Sequence, residues 1–231
     1  MGTIYLVRHG QASFGSANYD ELSELGWQQA RRLGAYWRQC SGLRQAGCKP
    51  HFEAVYTGTL TRQVQTWAGI AEGAQVPVEP VVRRRALNEY NVPAIIHAAH
   101  PEPLEKSREP AAYFRRLQAL RSGLVGWMQG NLAPQGLPSY AQFRYGVMAV
   151  LDEVRTRHRG DVLVVTSAGP IAAVLSHLMR TPPAATAELN IAYRNAALTE
   201  LAFSRSGYAL MAFNALPHLQ STRHRRWISW I

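Results

Sequence analysis

Cysteine is nearly absent from this chain of 231 residues, with two in all, Cys40 and Cys48. Two thiols close together fit neither a disulfide framework nor a metal motif and read as free cysteines. Lysine is as scarce, confined to Lys49 and Lys106, although Lys and Arg together number 25 and the formal net charge is +10. The positive charge is therefore carried by arginine, whose planar fork pairs with phosphate and carboxylate bidentately. That favours an acidic or phosphorylated ligand, while a merely solvated basic surface gives the same composition. No zinc-finger, RNA-binding or basic-helix pattern accompanies the charge, so a basic domain that binds nucleic acid through its arginines stays only as a third reading, on charge alone. No apolar run approaches the roughly 18 residues a membrane helix requires. Residues 1–8 lack both a basic n-region and a long apolar stretch, so they do not read as a signal peptide, and the expectation is a soluble, cytoplasmic protein.

What is present is an alternation of strand and helix signals. Thr3–Val7 is a short β-branched run that ends at a polar turn. Leu25, Ala30, Leu33 and Trp37 recur at helical spacing after Ser23, a candidate N-cap. Glu53–Thr57 reads as a second strand, Leu60–Ile70 as the helix after it and Pro77–Val82 as a third strand. Ala141–His158 is strongly helical. Val162-Leu163-Val164-Val165 is the clearest strand and feeds a helix at Ile171–Met179. Ala196–Phe203 and Tyr208–Phe213 form a hairpin around Ser206-Gly207. The pattern predicts one α/β domain over residues 1–231, its largely parallel sheet covered on both faces, with a proline-punctuated helical insertion from about Asn91 to Pro138. Parallel sheets bind ligands at the carboxyl ends of their strands, which draws attention to the residues after Val7, Thr57 and Thr166. The tail from Ser221 mixes arginines with Trp227, Ile228, Trp230 and Ile231. It is too apolar to stand free, so it packs on the body or on a second subunit, which keeps a homodimer among the readings.

The first strand ends in Arg8-His9-Gly10. A neutral imidazole can attack phosphorus, an adjacent guanidinium keeps it neutral, and glycine lets backbone approach an anion closely. Alone, three residues say little. Arg62 follows the second strand in the first turns of a helix, within reach of the same anion.

Together these segments resemble branch 1 of the histidine phosphatase superfamily, the phosphoglycerate-mutase-like proteins. Leu6–Gly10 is similar to the family's opening motif. Asp20-Glu21-Leu22-Ser23-Glu24-Leu25-Gly26 with Gln29-Ala30 resembles D-x-L-T-x-x-G-x-x-Q-A. Thr57–Thr66 resembles S-x-L-x-R-A-x-Q-T, and Leu87-Asn88-Glu89 stands where the family carries its acidic proton donor. The order of the four segments is the family's.

The resemblance implies a mutase-like three-layer α/β sandwich with a helical lid. It also implies a phosphomonoesterase that works through phosphohistidine without cofactor or metal, on a small phosphorylated substrate or a phosphopeptide. His9 would be the nucleophile, Arg8 and Arg62 would hold phosphoryl oxygens, and Glu89 would be the general acid and base.

Two departures qualify that implication. The family's S-H-G-G is here Thr166-Ser167-Ala168-Gly169, followed by Pro170, so Ser167 replaces a second histidine and brings no charge. Backbone N–H groups at Ala168 and Gly169 are expected to face the same anion, and a histidine restored at 167 is expected to raise turnover. Gln11-Ala12-Ser13-Phe14-Gly15 replaces E-T-x-W-N, leaving Ser13 or Asn18 to stand in for the missing asparagine. These departures argue against a glycolytic mutase. They also leave a second reading, a phosphate-binding or regulatory protein of the same fold with weak turnover. His97 and His100 in the insertion read as solvated surface residues, with replacement of the lost histidine as the alternative.

Overall fold

The computed structural model describes residues 2–13, 20–41, 52–104 and 109–230. Asn18 and Cys48 lie outside them, as does the side chain of Cys40. The chain divides into two compact units, one comprising Met1–Asn88, Val150–Ser167 and Tyr193–Ile231, the other Glu89–Ala149 and Ala168–Ala192.

The first unit holds a six-stranded sheet of β1 (Gly2–Arg8), β2 (Ala54–Thr57), β3 (Val82–Arg83), β4 (Val162–Thr166), β5 (Leu198–Ser204) and β6 (Gly207–Ala215). Their spatial order is β3-β2-β4-β1-β5-β6. The first four run parallel, and β5 and β6 add an antiparallel hairpin beside β1. β4 is buried at all five positions, which is why it is apolar on both faces and ends in the first polar groups the sheet can offer. Its pairing with β1 sets Val7 against Val165 and Arg8 against Thr166, so His9 and Ser167 follow the ends of neighbouring parallel strands. The third strand is shorter than Pro77–Val82 suggests, with only Val82 and Arg83 joining the sheet. Pro77 and Pro80 have no N–H to give a ladder, and pairing starts beyond them.

Two helices cover one face of this sheet. In α1 (Glu24–Ser41), Ser23 caps the first turn by accepting from the Gly26 N–H at 3.1 Å, so the cap works without an acidic partner three residues on. Ala30, Leu33 and Trp37 pack with Trp67, Ile70 and Ala71 of α2 (Thr61–Ala74) on Tyr5, Val7, Val55, Leu163 and Val165. Trp37 meets Phe52 edge-on at 5.1 Å and Tyr5 at 6.1 Å. The tail lies on this same unit. Gln29 donates to the Trp227 carbonyl and to Ser229 Oγ, and the Asn195 N–H donates to the Ser229 carbonyl.

The second unit is helical, with α3 (Val92–Ala99), α4 (Pro110–Gln129), most of α5 (Tyr140–Arg157), α6 (Ala168–Met179) and α7 (Pro183–Ile191). Its core joins Ile95 and Leu124 to an aromatic group of Tyr90, Trp127, Tyr140 and Phe143. The stretch expected as an insertion thus becomes α3 and α4, and residues 168–192 belong to the same unit. Among the described residues no helix is long and apolar enough to cross a membrane.

Candidate active site

His9 begins the turn after β1 and is 5 % exposed. Its backbone N–H donates to the Thr166 carbonyl at 2.9 Å, tying the turn to the end of β4. The ring's Nδ1 lies 2.7 Å from the Gly10 carbonyl, which can only accept, so Nδ1 carries the proton. Nε2 is then an unprotonated lone pair, and it accepts from Arg62 Nε at 3.2 Å. Burial, then the guanidinium of Arg62, then that of Arg8 hold the His9 pKa well below its ordinary 6.5. The result is a neutral imidazole with its nucleophilic nitrogen in a cationic setting.

Arg62 stands in the first turn of α2, and two anchors position it. Its Nη1 pairs with Asp20 Oδ1 at 2.6 Å, and the other oxygen of Asp20 accepts the Thr61 N–H at 2.9 Å. Asp20 therefore caps α2, which has no cap from its own Leu60, while aiming the guanidinium. One turn on, Thr66 accepts the Gly10 N–H at 3.0 Å and donates to the Arg62 carbonyl at 2.6 Å, locking the His9–Gly10 turn to the helix. Arg8 donates through Nη1 to the Tyr193 carbonyl, so one end of this guanidinium is spent on backbone.

Ser167 closes the same unit after β4 and is fully buried. Its Oγ accepts from Gln63 Nε2 at 2.8 Å, and the same nitrogen donates to the Leu87 carbonyl at 2.9 Å. Thr166 Oγ1 also donates to that carbonyl at 2.6 Å, and Asn88 exchanges two hydrogen bonds with Thr59. The segment preceding Glu89 is in this way pinned to the carboxyl ends of β2 and β4.

In the second unit, Glu89 meets the start of α6. Ala168 is buried at the first position of that helix, and the Gly169 N–H donates to Glu89 Oε2 at 3.2 Å. A side chain at 169 would collide with the other carboxylate oxygen, so glycine there makes room for the acid. This N–H therefore serves Glu89, whereas the sequence led us to expect it to face the ligand. Tyr90, next in the chain, is fixed through its hydroxyl by Asn190 at 2.7 Å. His97 and His100 are exposed; His97 lines a cavity with Asn91, Pro93 and Gln135, and His100 contacts the Glu102 carbonyl. Ser13 donates its N–H to the Glu21 carbonyl, and Asn18 is outside the described residues.

The first unit thus brings together His9, Arg8, Arg62 and Ser167, and adds Asp20, Gln63 and Thr66, to which sequence reasoning gave no role. Asp20 and Thr66 sit inside the motif segments, so their positions carried the only available signal. Gln63 was legible only as a departure from the alanine that follows the arginine in S-x-L-x-R-A-x-Q-T.

Comparison with known proteins shows what the chain is similar to. The chain is 24% identical over 229 residues to a protein of Hydrogenobacter thermophilus provisionally named phosphoserine phosphatase 2, covering 94% of this chain and 98% of that one. Among solved structures, a mycobacterial glucosyl-3-phosphoglycerate phosphatase superposes with a TM-score of 0.64 at 21% identity, over 93% of this chain and 99% of the other. A phosphoserine phosphatase of Entamoeba histolytica, in complex with phosphoserine, gives 0.60 at 17% identity over 95% and 100%. At these identities the likeness is one of fold. The model of the histidine phosphatase superfamily (branch 1) matches residues 4–216, and the chain belongs to that family.

Proposed function

We propose that the protein is a phosphomonoesterase that passes the phosphoryl group through His9. The observation that carries this reading is the imidazole itself. Gly10 fixes its tautomer, burial and two guanidinium groups keep it neutral, and its unprotonated Nε2 accepts from Arg62 at 3.2 Å. In the reaction, Nε2 attacks phosphorus and the bond to the substrate's ester oxygen breaks. That oxygen takes a proton from Glu89, leaving the phosphoryl group on Nε2. Water then gives a proton to the Glu89 carboxylate and attacks phosphorus. The P–N bond breaks, its electron pair returns to Nε2, and inorganic phosphate departs. Arg62 and Arg8 balance charge on the phosphoryl oxygens throughout, and Ser167 and the Ala168 N–H are neutral donors to them. The substrate class is a small phosphorylated metabolite or a phosphopeptide.

The test is hydrolysis of an aryl phosphate by wild type and His9→Ala, with quenching to trap acid-labile, alkali-stable phosphoprotein. Wild-type turnover abolished by His9→Ala, with label on His9, supports the reading. Equal rates for the two proteins would end it. The second reading, a phosphate sensor with weak turnover, draws on Ser167, which contributes no positive charge. Heat protection by inorganic phosphate without hydrolysis would favour it. Cytoplasmic residence is part of the proposal. A second copy as partner rests on the apolar tail, whose Trp230 is 50% exposed, and light scattering at micromolar concentration decides it.

A further inference from the structure

Three departures from the family's residues meet in one place. In S-x-L-x-R-A-x-Q-T, aligned on Arg62, the serine falls at Gly58 and the alanine at Gln63, while the lost histidine falls at Ser167. Gln63 is fully buried, and its amide lies between Leu87 and Ser167. The Leu87 carbonyl can only accept, so the amide nitrogen must face it, and the same nitrogen faces Ser167. Ser167 Oγ is therefore an acceptor in this pair. Its own hydrogen has no acceptor among the described residues and is left to donate. Gly58 supplies the room: a Cβ there would collide with Gln63 Oε1 and lie 2.6 Å from Asn88 Oδ1. Gln63 Oε1 is itself buried without a donor among the described residues. A glutamine serving only to fill space is a poor choice here, because an apolar side chain would leave no buried oxygen unpaired.

We infer that Gln63 is a positioning residue. It occupies one lone pair of the Ser167 hydroxyl and so directs that hydrogen to a phosphoryl oxygen, and Gly58, Gln63 and Ser167 together are a neutral replacement for a histidine in the pocket. This rests on the pocket assigned above and concerns its ligand contacts, not turnover. It also changes what restoring the histidine should do. In Ser167→His the ring enters space that Gln63 fills, so the single change impairs binding, and Gln63→Ala must accompany it.

The experiment is calorimetric titration with inorganic phosphate of wild type, Gln63→Met, Ser167→Ala and the double variant, each first shown to be folded by circular dichroism. Methionine keeps the length of Gln63 and removes its donors. We expect each single change to weaken phosphate binding by roughly tenfold, the range for one hydrogen bond to an anion, and the double variant to equal Ser167→Ala. Gly58→Ala should match Gln63→Met. Ser167→His with Gln63→Ala should bind phosphate more tightly than Ser167→His alone, with a pH dependence near neutrality steeper than that of wild type, which follows the ionisation of phosphate itself. Wild-type affinity in Gln63→Met, or losses that multiply in the double variant, would overturn the inference and leave the pocket assignment standing. No phosphate binding by wild type would overturn both. Coupled losses in a protein without turnover would uphold this inference while removing the phosphatase reading.

Discussion

Arg62 donates through Nε to His9 Nε2 at 3.2 Å while its Nη1 is paired with Asp20 at 2.6 Å. The guanidinium is held at one end by a carboxylate and rests at the other on the nitrogen assigned as nucleophile. For that nitrogen to attack, the contact to Nε2 must give way to phosphoryl oxygens, whereas the Asp20 pair can persist as a pivot. A side chain only 10% exposed and anchored in this way loses little freedom when it changes partner.

Arg62→Lys keeps the charge but not the fork, and it should lower kcat/KM on an aryl phosphate by roughly 10²–10³-fold. Asp20→Asn should cost less, about tenfold, because it loosens the aim without removing the donor. Steady-state kinetics of the two variants check this. Lysine at 62 with near-wild-type kcat/KM would remove Arg62 from the site.

Glu89→Gln should discriminate between leaving groups. An alkyl phosphate needs a proton on its departing oxygen, so its hydrolysis should fall by about 10²–10⁴-fold. A nitrophenyl phosphate leaves as a stabilised phenolate and should lose much less. Equal losses on the two substrates would argue that Glu89 positions other groups and does not transfer the proton.

Thr66→Val preserves shape and removes the acceptor of the Gly10 N–H, a bond wholly inside the protein. Leaving that donor unsatisfied should destabilise the fold by about 1–3 kcal/mol, and the freed turn should lower kcat as well. Urea denaturation with parallel kinetics measures both. A stable but inactive variant would show that the bond serves the turn alone.

His218, shortly before the tail, is fully enclosed with neither ring nitrogen partnered among the described residues. Burial, then Arg32 and His224, push its pKa down to about 3. Between its ordinary 6.5 and that value the unfolded chain binds a proton that the folded chain refuses. Stability therefore falls as pH drops below 6.5, at about 1.4 kcal/mol per pH unit for each such group. His9, also held neutral, adds a slope of the same sign. Thermal melts across this range should show a shallower decline for His218→Leu than for wild type, and parallel declines would exclude His218 as a cause.

The sequence by itself determined the strand order in time, the Ser23 cap, the polar turns at strand ends and the four motif segments. Each of these depends on neighbours a few residues apart, and periodicity and capping chemistry are written at that range. The length of β3 was misjudged because apolar character outweighed two prolines that cannot join a ladder. Only the tertiary structure decided what surrounds Ser167. Gln63 lies 104 positions away in the chain, and nothing local to either residue announces the other. The same holds for Asp20 on Arg62, 42 positions apart, and for the Gly169 N–H spent on Glu89, 80 positions away. Hydrogen bonds of that span are set by how strands pair and helices dock, and single-residue chemistry cannot foretell which donor fills which acceptor.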